Sequence, residues 1–358
     1  MRKINLLSLV TLSLILTFSA CHKDNSEETG GKFSDGIFVV NEGIFTTGTG
    51  TISFINRAYD SISYDIFASV NGRPLGNVAQ SMAIYNGKAY IMVNNASKVE
   101  VVNAATFESE ATITGLTSPR YFITASTSKG YVSDWAGNVA VIDLDANTVT
   151  KTIPVKSGPE QMLLSGSQVF VLNSGGWSTD STISVINTTT DEVSTTIQVN
   201  HRPTGIAADK DGKIWVMCSG RGYNGWPQSD DSEGHLLRID PATNQIDFEY
   251  SFVSTSLHPE KLVVNKNGDK LYFLYNGGIY NFDVTDTGAD PIQLASRDNL
   301  YSLGYDKNDN YLYVSDPIDY QQDGWIYRYN ASSGVMVDSL QAGIIPGNYC
   351  FGESPGSY

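Results

Sequence analysis

The feature that most constrains this chain is a unit of local sequence that returns about every forty residues. Each unit opens on a connector, often ending in proline, and continues as an apolar stretch. A turn and a strand-like run such as Lys88-Ala89-Tyr90-Ile91-Met92-Val93 follow, then a third run such as Val99-Glu100-Val101-Val102 and a last, threonine-rich one. Aligned on the connector, the units begin at Ala79, Pro119, Pro159, Pro203, Pro259, Leu300 and Pro346, in steps of 40, 40, 44, 56, 41 and 46 residues. Self-similarity at this period marks a repeat architecture, in which no unit can bury its own faces and stacking supplies the core.

The runs alternate or are continuously apolar and β-branched, as strands buried on one or both faces should be. Second strands are predicted at 89–93, 130–133, 169–172, 214–217, 271–274 and 311–314. The pairs Asn86-Gly87, Asp211-Gly212 and Asn267-Gly268 between first and second strands are hairpin turns that accept positive φ. After the first twenty residues no stretch shows sustained helical periodicity, and the whole is read as all-β.

Four strands at this period describe a blade of a β-propeller. Six complete blades fit between residues 79 and 345, and the leftover pieces make a seventh. Residues 36–41, 51–56 and 61–68 read as second, third and fourth strands with no first strand before them. Residues 346–351 read as a first strand with nothing after it. A seven-bladed ring closed by the C-terminal strand joining three N-terminal strands is therefore expected, and it leaves no open sheet edge.

The stretches Gly212-Lys213-Ile214-Trp215-Val216 and Val139-Ala140-Val141-Ile142-Asp143 resemble the YVTN or YncE-like propeller repeat. The opening Gly36-Ile37-Phe38-Val39-Val40-Asn41-Glu42-Gly43, together with Val70-Asn71-Gly72-Arg73-Pro74-Leu75-Gly76, is similar to a group of surface lipoproteins of Gram-negative gut bacteria. Some members of that group capture cobalamin beside an outer-membrane transporter. The resemblance covers nearly all of residues 33–358. It implies a propeller, with corrinoid as the most specific ligand candidate and a TonB-dependent-type transporter as the partner.

Ahead of the repeats, Arg2 and Lys3 precede an uncharged stretch to Phe18 and then Ser19-Ala20-Cys21. This is the layout of a secretory signal over residues 1–20, and its uncharged stretch of fifteen residues, Ile4 to Phe18, is short for a bilayer span of about 20 residues. It resembles a bacterial lipobox, which makes Cys21 the expected lipidation site and 21–32 a polar, flexible tether. Several acyl chains hold a protein stably on a membrane. The Lys23-Asp24 pair resembles an export signal to the outer cell surface, so an outer-membrane, surface-exposed location is expected. The formal charge is −15, and −17 without the leader, which argues against nucleic acid as a partner.

The loops between second and third strands, 42–50, 94–98, 134–138, 173–182, 218–235, 275–278 and 315–325, emerge on one face and hold Phe45, Trp135, Trp177, Tyr223, Trp226, Tyr320 and Trp325. Aromatic rings on Gly-, Ser- and Asn-rich loops are disfavoured in water and mark a ligand-facing surface. The alternative is that each tryptophan folds onto its own blade. Asn173, Ser174, Ser178, Asn224, Gln228 and Gln322 are candidate polar partners. The first residues of the innermost strands, Gln80, Arg120, Glu160, Thr204, Glu260, Tyr301 and Asn348, should ring the channel mouth on this face. Arg120 either clamps a ligand anion or pairs with Glu160.

Catalytic and metal signatures are missing. The four histidines, at 22, 201, 235 and 258, have no zinc-site spacing, and no nucleophile elbow, P-loop or dinucleotide fingerprint occurs. Asp230, Asp231 and Glu233 form at best a loose calcium site. Cys218 and Cys350 fall on different blades and should be free, buried thiols. The expectation is a non-catalytic ligand-binding lipoprotein without a cofactor. The alternatives are an adhesion or surface-layer protein that binds glycan or protein, and a propeller lactonase or lyase.

Overall fold

The computed structural model describes residues 31–45, 47–48, 50–224, 226 and 228–352. The segment expected to be a secretory signal, the expected lipidation site Cys21 and most of the expected tether lie outside these residues. The described chain forms seven sheets of four antiparallel strands. Their inner strands are Ala79–Tyr85, Pro119–Thr124, Pro159–Ser165, Pro203–Ala208, Glu260–Val264, Leu303–Asp306 and Pro346–Cys350, which follow the aligned connectors closely.

The ring closes as expected. Pro346–Cys350 pairs with Gly36–Asn41, setting Phe38 opposite Cys350 and Val39 opposite Tyr349, so the first and last described strands share the first blade. A second tie reinforces the seam: Arg57 of the first blade bonds Asp306 and Asp309 of the seventh, and Asp306 is fully buried.

The blades stack because each sheet is apolar on both faces. Phe170, Leu172, Ile183 and Val185 of the fourth blade pack on Ile206, Val216 and Leu237 of the fifth. Trp215, fully buried, sits among Phe248, Phe252, Phe273 and Phe282 between the fifth and sixth. Cys218 and Cys350 are buried free thiols, and burial pushes both thiol pKa values up. The Asn86-Gly87 turn has φ of 49° and 71°, the double left-handed geometry of a tight hairpin.

One expectation fails. Residues 61–68 do not form the fourth strand of the first blade; only Ile62–Ser63 pairs there, and the chain then coils into a helix, Ile66–Asn71. Asp65 caps that helix by accepting from the Ala68 N–H, and Gly72 ends it at φ 65°. Ile66 and Phe67 then plug a cluster with Phe38, Phe54 and Phe107, so the helix covers an apolar patch a longer strand would have left to solvent.

Candidate functional site

The channel mouth is built by a recurring backbone irregularity. Near the start of the inner strand the register slips in six of the seven blades, at 79/81, 119/122, 159/162, 203/205 and 260/262, and against residues 346/348 in the first. A bulge leaves its extra residue unpaired and re-aims the side chain. The residues released this way include Gln80, Arg120, Tyr121, Glu160, Thr204 and Lys261. Lys261 itself takes a left-handed φ of 56° and sets its ammonium 5.3 Å from the Tyr301 ring centre.

These side chains pair mainly with each other. Arg120 makes two bonds of 3.1 Å to the Glu160 carboxylate and a further bond to the Gln80 side-chain oxygen, tying the second, third and fourth blades together. The Arg120–Glu160 pair foreseen as one of two possibilities is thus the one observed. The guanidinium also lies 4.0 Å from the Trp135 ring, and the Trp135 indole N–H donates to Glu160 at 2.9 Å. Across the mouth, the Tyr301 hydroxyl donates to Glu42 at 2.9 Å. Burial raises the Glu42 carboxyl above its ordinary pKa, against the opposing pull of Lys261, Tyr301 and Arg120. Glu42 and Tyr121 belong to this cluster and were missed from the sequence. Glu42 follows a second strand rather than opening a first, and Tyr121 was hidden by the bulge beside Arg120.

Around this polar plug stand the loop aromatics. Trp177 is 86% exposed, Trp226 73%, Phe45 59%, Tyr320 47% and Tyr223 46%. They are grouped by neighbouring blades rather than gathered at one point. Trp177 meets Trp135 edge to face at 5.6 Å, and Tyr320 meets Tyr301 likewise at 5.7 Å. Tyr223 carries the Arg202 guanidinium 4.0 Å from its ring and bridges to Trp226. Trp325 departs from the loop reading: it lies within the strand Asp323–Asn330, opposite Asp316 and Gln341, and is only partly exposed. Gln80 is buried, and Glu260 is partly buried at the mouth. Thr204 bonds the Ser219 hydroxyl.

The foreseen polar partners are mostly committed elsewhere. Asn173 is fully buried and donates to Thr182 and Ser184, and Asn224 is held by the His258 backbone. Gln228 and Gln322 remain at the surface. The loop acids do not cluster: Asp230 pairs with Arg221, while Asp231 accepts from the Gln228 N–H. Among the described residues no three His, Cys, Asp or Glu side chains converge on a metal-sized point.

A larger concave space lies elsewhere. A cavity of about 620 Å³ occupies the far end of the channel, lined by later residues of all seven inner strands, among them Met82, Leu163, Ile206, Val263, Leu303 and Tyr349. Of the residues expected at the mouth, Asn348 lines this cavity instead, because it lies further along its inner strand, opposite Val40; Phe45, Gln80, Arg120, Trp135, Glu160, Trp177, Tyr223, Trp226, Glu260, Tyr301, Tyr320 and Trp325 do not line it.

The fold recurs among solved structures. A quinoprotein alcohol dehydrogenase-like protein from Bacteroides thetaiotaomicron matches with a TM-score of 0.67 at 16% identity, over 89% of this chain and 78% of that one. A candidate 6-phosphogluconolactonase from Bacteroides fragilis gives 0.66 at 12% identity, over 88% and 97%. The hydrazine synthase of Kuenenia stuttgartiensis gives 0.64 at 16%, over 76% and 89%. At such identities the likeness shows the fold alone. No curated protein matches the sequence. One family does: its model, described as a domain of unknown function, DUF5074, matches residues 35–349, and the chain belongs to that family.

Proposed function

We propose that this propeller is a non-catalytic binding protein that takes a large, flat, amide-rich ligand of the corrinoid class on its aromatic loop face. It would hand that ligand to an outer-membrane transporter from a lipid-anchored position at the cell surface. The observation that carries the reading is the exposure of Trp177, Trp226, Phe45 and Tyr320 around a mouth whose own charges are largely paired. Rings of this size contribute roughly 1.5–3 kcal/mol each when a ligand covers them, of which loop ordering and ligand immobilisation remove a large part. The lipobox-like leader and the similarity to cobalamin-capturing lipoproteins support the location and the ligand class. Two neighbours are named for dehydrogenase-like and lactonase proteins. The mouth gives that chemistry less support, because Glu160 is held by Arg120 and Trp135.

Calorimetric titration of residues 33–358 with cyanocobalamin tests the proposal. Phe33 is the first residue packed in the core, so this fragment keeps every blade. One-to-one binding is expected, weakened at least about tenfold, or about 1.4 kcal/mol, by Trp177→Ala or Trp226→Ala. No heat would sink the corrinoid reading, and unchanged affinity in both variants would remove the aromatic face from it.

The cavity at the far end supports a second reading, a smaller ligand held inside the channel. Its volume falls within the roughly 300–1,000 Å³ of ordinary small-molecule sites. Leu163→Trp narrows that space and should leave corrinoid affinity unchanged; a loss would move the site to the far end.

A further inference from the structure

At the far end of the channel, lysine stands at the same place in three consecutive blades. Asp209-Lys210, Asn265-Lys266 and Asp306-Lys307 close the inner strands of the fifth, sixth and seventh blades. In each pair the turn itself uses the first residue. Asp209 accepts from the N–H groups of Asp211 and Lys213 at 2.9 Å and from the Trp215 indole at 2.8 Å. Asn265 accepts from the N–H groups of Asp269 and Lys270 at 3.0 and 3.1 Å. Asp306 accepts from the Asn308 N–H at 2.9 Å and bonds Arg57. Side chains that fold back on their own turn in this way fix the backbone of the residue that follows.

All three lysines line the cavity, and Asp209 is the one acid among its described lining residues. Neighbouring turns are also tied together: the Lys210 N–H donates to the Gly268 carbonyl at 2.9 Å. Only glycine suits that position, since φ is 69° and a methyl group would lie 2.5 Å from the Lys210 nitrogen. Lys210 bonds the exposed Asp211 at 2.8 Å, whereas among the described residues Lys266 and Lys307 bond no carboxylate. In a chain of formal charge −15, two free ammoniums over one committed acid are a local inversion of sign. The rest of the rim is uncharged, with Tyr85, Thr124, Leu164 and Phe351 from the first four blades. Further in, the walls are aliphatic.

We propose that this end of the channel binds a small amphipathic organic acid, its apolar body among the inner strands and its carboxylate held by Lys266 and Lys307. The proposal rests on the second reading above, that a ligand occupies the channel, and supplies the class of that ligand. Burial of the body against Leu163, Ile206 and Val263 provides affinity, and the charged head fixes orientation and selects against neutral compounds. Lysine is a compact point charge, and among the described lining residues there is no arginine fork that would favour a phosphate. The competing occupant is water with mobile counterions.

Decanoate tests the proposal, with decanol as its neutral counterpart, each titrated by calorimetry into residues 33–358 at neutral pH. One decanoate per chain is expected, bound about tenfold more tightly than decanol and more weakly as salt is added. Lys266→Gln combined with Lys307→Gln alters two exposed turn positions and should fold as the parent does. It should cut decanoate affinity about tenfold and leave decanol unchanged, while Leu163→Trp weakens both. Equal binding of the two compounds, untouched by the lysine changes, overturns the organic acid and leaves a channel ligand standing. Binding of neither overturns both. Decanoate affinity unchanged in Leu163→Trp places the compound outside the channel and overturns the proposal as well.

Discussion

The two ends of the central channel are made from the same seven inner strands, yet one is filled and the other hollow. At the loop end, Arg120 reaches Gln80 and Glu160 on the blades to either side, and Tyr301 reaches Glu42 across the first–seventh seam. At the far end, Met82, Leu163, Ile206 and Val263 face a cavity of about 620 Å³. Long charged side chains released by bulges can span the distance between inner strands. Aliphatic side chains on regularly paired residues cannot, and Lys210, which lines the same far-end space, is held by its neighbour Asp211. Side-chain pairing across blades, and not strand position alone, distinguishes the two ends.

The strongest way to break that contrast is to remove the central cation of the closed end. Arg120→Ala strands Glu160 and leaves Gln80 and Trp135 without their partner. Breaking a buried pair from one side costs about 3–5 kcal/mol, and the slight exposure of both partners argues for the lower figure. Denaturant unfolding should show a loss of about 3 kcal/mol. A loss under about 1 kcal/mol would place the pair with surface salt bridges and make the plug dispensable.

A smaller effect should appear in the pH dependence of stability. The Glu42 carboxyl has its pKa raised above the ordinary 4.5, chiefly by burial, with Glu160 adding to the shift and Lys261, Tyr301 and Arg120 opposing it. The folded state therefore holds the Glu42 proton more tightly than the unfolded chain. The resulting stabilisation is fully present below the unfolded pKa and is lost as pH rises through the raised folded value. Glu42→Gln removes this loss, so its stability should fall less than that of the parent as pH climbs from 4.5. Parallel curves for the two proteins would show that Glu42 ionises in the fold as it does in water.

The ring was legible because it rests on spacing. The connectors at 79, 119, 159, 203 and 346 coincide with the first residues of inner strands, and the orphan strand at Pro346 has one place to go. The helix Ile66–Asn71 was missed, although Asp65 and Gly72 frame it as N-cap and C-terminal glycine; a six-residue helix shows too little periodicity to stand out. Arg120 and Glu160 were legible as mouth residues because they follow the connector prolines directly. Glu42 was not, because its proximity to Tyr301 exists only once the ring has closed.

The smallest effect expected on stability belongs to one of the largest side chains. Trp177 stands on the Gly175-Gly176 turn with one edge contact to Trp135 and most of its surface in water. A ring so placed contributes little to the fold, and Trp177→Ala should change unfolding free energy by no more than about 0.5 kcal/mol. Cutting Trp215 to alanine, by contrast, empties a fully buried site and should cost about 3–5 kcal/mol. The pair separates the two explanations for aromatic loops. If Trp177→Ala leaves the melting temperature in place while weakening ligand binding, the indole is held out for a ligand. If it lowers the melting temperature by several degrees, the indole is a lid on the third and fourth blades, and its exposure has another cause.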